Sequence, residues 1–66
     1  MNLIINGEDK KFNQDSTLQA VIVELKVEEK VMAAAVNMEI VKKNEWENYI
    51  LKDNDKLELL QFVGGG

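Results

Sequence analysis

The chain has 66 residues, enough for one small domain with a single core but without an enclosed active-site cavity. It contains no histidine and no cysteine, so the commonest general base, thiol nucleophile and thiolate metal ligand are missing, and we expect no catalytic residue and no metal site. Twelve acidic against eight basic residues give a net charge of −4, which disfavours nucleic acid and anionic membranes as partners.

The hydrophobic segments are too short for a membrane span. The longest apolar run, residues 31–36, is far below the roughly 20 residues that a spanning helix needs. Polar residues at Asn2 and at 6–9 interrupt the first apolar stretch, a composition that does not fit a signal peptide. We therefore expect a cytoplasmic protein.

The first elements are predicted to be a hairpin. Residues 1–6 alternate with the period of a half-buried strand, with Met1, Leu3 and Ile5 on one face. Asn6-Gly7 tolerates the positive φ angles of a tight turn. A short second strand is expected around Lys10 to Asn13, with Phe12 pointing into the core and a loop that Asp9 and Lys10 can widen.

A helix is predicted next. Ser16 can cap it, with Gln19 reaching back in a capping box, and the helix is expected to end near Leu25 or Lys26. Its apolar stripe suits a sheet-facing helix better than a docking surface for a partner helix, because so small a sheet needs a cover. The stripe consists of Leu18, Val21, Ile22 and Leu25.

A second pair of strands is expected after a polar connector at 27–30. Residues 31–37 form one strand, the segment Asn37-Met38-Glu39 turns the chain, and Ile40-Val41 returns. Met38 is unusual, because a tight turn favours glycine and a methionine at positive φ is less stable by about 1 kcal/mol. Either the turn has another geometry or Met38 is retained for an exposed contact.

Residues 42–51 are predicted to close one end of the core. Lys42 and Lys43 are most simply solvated charges, and Asn44 can cap a single helical turn. Trp46 is expected in the core, with an interface anchor as the alternative. Tyr49 and Ile50 are expected to pack beside it.

The last strand is predicted over Leu57 to Phe62, after turn residues at 52–56. Leu57 and Leu59 should face the helix, and alternate residues from Glu58 onward should lie on the other face. Three apolar residues near its end are candidates for an exposed patch; the alternative is burial against Ile4 and a neighbouring strand. They are Leu60, Phe62 and Val63.

The sequence ends in Gly64, Gly65 and Gly66, which cannot pack a core. We predict a folded domain at 1–63 and a flexible glycine tail at 64–66, with a frayed end of no function as the alternative. Fully extended, the chain from Val63 onward could carry the terminal carboxylate about 13–14 Å. That length is enough to enter the active site of another protein.

The element order predicts an α+β fold of the β-grasp, or ubiquitin-like, type. We expect a mixed sheet of four to five strands packed on one helix, with a short one-turn helix before the last strand. In this fold the first and last strands lie parallel at the centre of the sheet, so the end of the chain leaves from one edge.

Two segments resemble the ThiS family of sulfur carriers: AAAVNMEIVKKNEW, residues 33–46, and YILKDNDKLELLQFVGGG, residues 49–66. The family pattern has a similar hairpin, a tryptophan, an acidic turn, a hydrophobic strand and a terminal Gly-Gly. This chain departs from it at turn and surface positions, which bear on local geometry and partner selectivity. The departures are Met38, Lys42 and Lys43, Asn54 and an additional glycine at Gly64.

The resemblance implies a carrier on which partner enzymes act. A ThiF-type enzyme would use MgATP to adenylate the carboxylate of Gly66, and sulfur from a cysteine desulfurase would replace AMP to give a thiocarboxylate. Thiazole synthase, ThiG, would take that sulfur into the thiazole of thiamin. The chain would bind no cofactor itself, and Leu60, Phe62, Val63 and Met38 would be candidate contacts for a partner.

Two other functions remain open at this point. The small subunit of molybdopterin synthase is similar in fold and tail, although it is usually longer. A ubiquitin-like modifier or interaction module would instead join Gly66 to a lysine or dock through the sheet.

Overall fold

The alternating residues at the start of the chain form strand β1 (Asn2–Ile5) in a computed structural model that describes residues 1–61. Leu3 and Ile5 are buried, as predicted from the alternation. Asn6 and Gly7 form a two-residue turn, with φ angles of 50° and 86°. Both positive φ angles are typical of the tight turns that match the twist of a hairpin.

Strand β2 (Glu8–Lys11) returns antiparallel to β1, and it begins two positions earlier than predicted. Asp9 and Lys10 belong to the strand, so the prediction that they widen the loop is wrong. Phe12 lies just beyond the strand and packs, partly buried, against the core. All four residues of β2 are exposed, so hydrophobic alternation gave no indication of where this strand begins.

Helix α1 (Leu18–Glu24) begins one residue later than predicted. The Thr17 hydroxyl accepts a hydrogen bond from the Ala20 N–H at 3.1 Å, so Thr17 and not Ser16 is the N-cap, and no capping box with Gln19 forms. Ser16 instead donates its hydroxyl to the Asn13 carbonyl at 2.8 Å. The predicted stripe is confirmed: its first three residues are buried and Leu25 packs against the core.

Strand β3 (Val31–Val36) and strand β4 (Glu39–Val41) form the second hairpin. Their turn is the two residues Asn37 and Met38, with φ angles of 50° and 72°. Met38 therefore adopts the left-handed conformation that methionine disfavours. The unusual residue noted in the sequence lies in a strained turn.

A 3₁₀ helix (Lys43–Asn48) follows, and Trp46 within it is buried. The predicted cap at Asn44 is wrong, because Asn44 lies inside the helix and Lys42 precedes it without a side-chain cap. The indole Nε1 donates to the Val41 carbonyl at 2.9 Å, which satisfies the only polar atom of the side chain.

Ile50 does not pack beside Trp46 at the end of the core, so this prediction is wrong. The backbone becomes extended at Tyr49, so successive side chains after it point in opposite directions. Tyr49 is partly buried against the core, Ile50 is exposed, and Leu51 is buried in its place.

Strand β5 (Lys56–Gln61) completes a five-stranded sheet in the order β2-β1-β5-β3-β4. It runs parallel to β1 and antiparallel to β3, so the first and last strands are neighbours at the centre of the sheet. Leu57 and Leu59 are buried, and Glu58 and Leu60 lie on the other face, as predicted; both of these are exposed. The mixed sheet with one covering helix confirms the predicted β-grasp arrangement.

The core lies between α1 and one face of the sheet, and no polar or charged residue of 1–61 is buried in it. We call the opposite side of the sheet its outer face. In the described part of the chain, no helix is long and apolar enough to cross a membrane. The buried residues are Leu3, Ile5, Leu18, Val21, Ile22, Val31, Ala34, Val36, Val41, Trp46, Leu51, Leu57 and Leu59.

Candidate functional site

Strand β5 leads to the residues that the sequence singled out. Its first two residues are paired with β1, and its pairing with β3 continues on the other edge to the end of the strand, so β3 fixes the path of the chain as far as Gln61. The predictions for the five residues beyond it fall outside the described residues, and they stay predictions. These residues are Phe62, Val63, Gly64, Gly65 and Gly66.

Leu60 is the predicted contact residue that the structure shows in this region. It lies on the outer face opposite Ala33 of β3, and 62% of its surface is exposed. Of the two alternatives for this residue, exposure is observed and burial is not. An exposed leucine of this kind suits a docking contact, since it stabilises the isolated domain little.

Leu60 belongs to an apolar patch that the sequence analysis did not assemble. Ala33 and Ala35 alternate with buried residues on β3, and Ala35 lies opposite Ile40 of β4, which is 74% exposed. The small alanine side chains leave a shallow depression between the larger Leu60 and Ile40. We call Ala33, Ala35, Ile40 and Leu60 the outer-face patch. The period of two along β3 and β4 was the signal that could have identified it.

Met38 lies apart from Leu60. It is 88% exposed, but it lies in the turn beyond Val36, whereas Leu60 lies opposite Ala33. At about 3.3 Å of rise per residue, these two levels of β3 are roughly 10 Å apart. Met38 and Leu60 would therefore be separate contacts for a partner.

The polar and charged side chains considered near the patch are exposed. Glu58 lies opposite Ala35 on the outer face, on the side of Ala35 away from Ile40, and Asn6 lines the same depression. Lys42 and Lys43 are exposed, and the Lys43 Nζ lies 5.8 Å from the Trp46 ring centroid, within range of a cation–π contact. The two predicted solvated lysines are thus on the surface.

The charged side chains of the described residues are dispersed over the surface. Within residues 1–61, no three acidic, histidine or cysteine side chains cluster in a way that could hold a metal ion. The ion pair between Lys10 and Glu8, 3.7 Å apart, joins two exposed side chains of the edge strand. Such pairs stabilise a fold by only about 0–1 kcal/mol and perform no chemistry.

Comparison with known proteins places this geometry in context. The model of the ThiS family matches residues 3–66. The sulfur carrier protein ThiS of Bacillus subtilis is 35% identical over 65 residues, which is 97% of this chain and 98% of that protein. The crystal structure of a thiamine biosynthesis protein (ThiS) from Geobacter metallireducens superimposes with a TM-score of 0.83 at 30% identity, covering 100% of both chains.

A longer protein also matches. The thiazole synthase of Paramagnetospirillum magneticum is 41% identical over 66 residues, which is the whole of this chain. The chain spans only 20% of the length of that protein. Sequence similar to this chain therefore also occurs within a polypeptide named for another activity.

Proposed function

The chain belongs to the ThiS family and is a sulfur carrier of thiamin biosynthesis, and we propose that it carries the sulfur as a thiocarboxylate on Gly66. The observation that supports this proposal most is the extent of the family match, which runs from residue 3 through the three glycines to residue 66. The similar length of the Bacillus subtilis carrier adds to it.

The proposed chemistry begins at the carboxylate. A free carboxylate is ionised at neutral pH and is a poor acyl electrophile. Reaction with ATP forms a mixed anhydride with AMP and releases pyrophosphate, so that AMP becomes a good leaving group. The desulfurase supplies sulfur as a persulfide, whose terminal sulfur attacks the acyl carbon as AMP departs, giving an acyl disulfide. A thiol reductant then cleaves the S–S bond, and the thiocarboxylate remains. Mg²⁺ bound by the partner would screen the repulsion between the two anions.

The glycines suit this reaction for steric reasons. Gly65 and Gly66 carry no Cβ, so they can pass through a narrow channel and leave the acyl carbon accessible to the attacking sulfur. The carrier has no histidine and no cysteine, so it lacks the commonest general base and the commonest thiol nucleophile. It acts as a co-substrate on which partner enzymes perform the catalysis, and it binds no cofactor of its own.

Three partners follow from this chemistry: an adenylating enzyme of the ThiF type, a cysteine desulfurase system as the sulfur source, and thiazole synthase, ThiG, as the acceptor. The match to a thiazole synthase supports the link to that enzyme. When a carrier and its acceptor form parts of one polypeptide, the effective concentration of one for the other is high. A carrier that is a separate polypeptide would need a docking surface instead.

We place that docking surface on the outer face. Leu60 is exposed there, and the outer-face patch around it is apolar. Phe62 and Val63, which follow in sequence, would extend the contact toward the tail. Met38, which lies about 10 Å away along β3, would be a second and separate contact.

An intact-mass measurement tests the proposal. The purified chain is incubated with the adenylating enzyme, ATP, Mg²⁺, cysteine, the desulfurase and a thiol reductant, and a reaction without ATP is the control. We expect the mass change of one oxygen replaced by one sulfur, only when ATP is present. A ladder of lysine-linked species would support a modifier instead.

A second arm of the same experiment identifies the acceptor. The chain that carries the thiocarboxylate is divided into two portions. One portion is mixed with thiazole synthase and the other with the large subunit of molybdopterin synthase, each with the remaining substrates of that enzyme. We expect the sulfur to be lost to thiazole synthase alone. Loss to the molybdopterin enzyme alone would contradict the thiamin assignment.

A further inference from the structure

The strand that carries the tail is supported unequally on its two edges. On the β3 side, pairing continues as far as Gln61. On the β1 side only two positions of β5, Lys56 and Leu57, are paired, because β1 ends at Ile5 and the chain turns away. The half of β5 nearest the tail therefore has no neighbouring strand on that edge.

The side chain of Asn6 takes the place of the missing strand. Its Oδ1 accepts a hydrogen bond from the Leu59 N–H at 2.9 Å, and its Nδ2 donates to the Leu59 carbonyl at 3.4 Å. The Asn6 backbone N–H donates to the Leu57 carbonyl at 2.9 Å. A side-chain amide presents a donor and an acceptor side by side, as a peptide group does. Asn6 thus continues the ladder of β1 by one further step.

Asn37 makes a similar arrangement at the other end of β5. It has the same φ angle of 50° and the same place in a two-residue hairpin turn. Its N–H donates to the Lys56 carbonyl at 2.8 Å, and its Oδ1 accepts from the Lys56 N–H at 3.0 Å. The two asparagines are therefore alike in local structure, but Asn37 holds the start of β5 and Asn6 holds the part that leads to the tail.

We propose that Asn6 is a positioning residue for sulfur transfer: its amide fixes β5 at Leu59 and thereby keeps Leu60 in the outer-face patch, beside the tail. A strand paired on one edge opens locally more readily than one paired on both. If Leu59 is released, Leu60 has to be reordered when a partner docks, which weakens binding. The activity part of this inference rests on the proposed function, whereas the structural part does not.

Hydrogen exchange tests the structural part. Asn6→Gly and Asn37→Gly both keep the positive φ of their turns, because glycine accepts it, and each removes the side-chain hydrogen bonds to β5. We expect Asn6→Gly to accelerate exchange of the Leu59 amide about tenfold, and Asn37→Gly to accelerate that of Lys56 and leave Leu59 unchanged. An unchanged Leu59 rate in Asn6→Gly would overturn the inference.

Adenylation kinetics test the positioning part. We expect Asn6→Gly to raise the KM of the adenylating enzyme for the carrier about fivefold while kcat stays within about twofold, since the chemistry belongs to the partner. Asn37→Gly should leave both constants unchanged. An equal rise in the two variants, or no rise in Asn6→Gly despite faster exchange at Leu59, would contradict the role of Asn6.

A more conservative variant keeps the inference testable if Asn6→Gly fails to fold. Asn6→Asp keeps an acceptor for the Leu59 N–H and loses the donor to the Leu59 carbonyl, so its KM should rise less than that of Asn6→Gly. A KM for Asn6→Asp above that of Asn6→Gly would contradict the proposed hydrogen bonding. If the unaltered chain is not adenylated at all, the proposed function fails, and the exchange result alone decides whether Asn6 holds the strand.

Discussion

Leu60 lies opposite Ala33 on the outer face of the sheet, one residue before β5 ends. We predict that Leu60→Ala weakens binding to the adenylating enzyme about tenfold, because a leucine at the centre of a contact loses apolar burial when it is truncated. The free energy of unfolding should change by less than about 0.5 kcal/mol, because 62% of the residue is exposed in the free domain. Titration calorimetry and urea unfolding measure the two quantities.

Val23→Ala is the matched control for Leu60→Ala. Val23 is also an exposed apolar residue, at 47%, but it belongs to α1, on the opposite side of the sheet. Its truncation should leave the affinity unchanged. Equal losses of affinity in both variants, or a loss of stability without a loss of affinity in Leu60→Ala, would contradict the outer-face patch.

We predict that Met38→Gly stabilises the domain by about 0.5–1 kcal/mol, because glycine removes the strain of a φ angle of 72° and the methionine side chain packs on little. Met38→Ala is the control, since alanine keeps the strain and removes the same exposed side chain. Urea unfolding compares the two. A lower stability for Met38→Gly than for Met38→Ala would show that the turn is not strained.

The same two variants test Met38 as a contact. If Met38 binds the adenylating enzyme, both variants should lose affinity to a similar extent, whatever their stability. Unchanged affinity in both would leave the outer-face patch as the contact surface.

Trp46→Phe is predicted to lower the free energy of unfolding by about 2 kcal/mol. The substitution leaves the buried Val41 carbonyl without the indole donor at 2.9 Å and removes part of the packing. For a domain of this size, the melting temperature should fall by roughly 10 °C. Lys43→Ala removes only the exposed cation over the same ring and should cost about 0.5–1 kcal/mol. Equal effects of the two variants would show that the hydrogen bond stabilises nothing.

The sequence predicts well those elements whose periodicity reflects burial. Leu3 and Ile5 on β1, the stripe of α1 and the alternation of Leu57 and Leu59 on β5 follow from apolar residues that must face one core. The same alternation places Leu60 on the opposite face, but it does not decide between exposure and burial there. Strand β2 has no such pattern, because all of its residues are exposed, and only the length of the Asn6-Gly7 turn fixes its start.

The structure differs from the sequence-based predictions in two other situations. In one, two neighbouring residues can make the same interaction; in the other, the contacting residues are far apart in sequence. Ser16 and Thr17 can both cap a helix, and the backbone geometry alone selects Thr17. The bond between Asn6 and Leu59 joins residues 53 positions apart, so no local pattern could reveal it. In the sequence, Asn6 has a sufficient explanation as a turn residue, which conceals its contact with β5.

Removal of Gly66 is predicted to abolish adenylation and to leave the stability unchanged. The deletion withdraws the carboxylate by about 3.3–3.6 Å, beyond the reach that in-line attack on ATP requires. A Gly66→Ala variant, which keeps the length but adds a methyl group on the Cα next to the acyl carbon, should be adenylated more slowly. Pyrophosphate exchange with ATP measures the reaction, and full activity of the deletion would refute the assignment of Gly66.

The central claim is the position of the sulfur atom. Fragmentation of the sulfur-carrying chain in a mass spectrometer tests this claim most directly. We predict that sulfur replaces one oxygen in the terminal fragments that contain Gly66, and that every fragment ending before Gly66 keeps its original mass. Sulfur found in an internal fragment, or no change in the mass of the chain after the complete reaction, would contradict carriage of sulfur on the terminal carboxyl group.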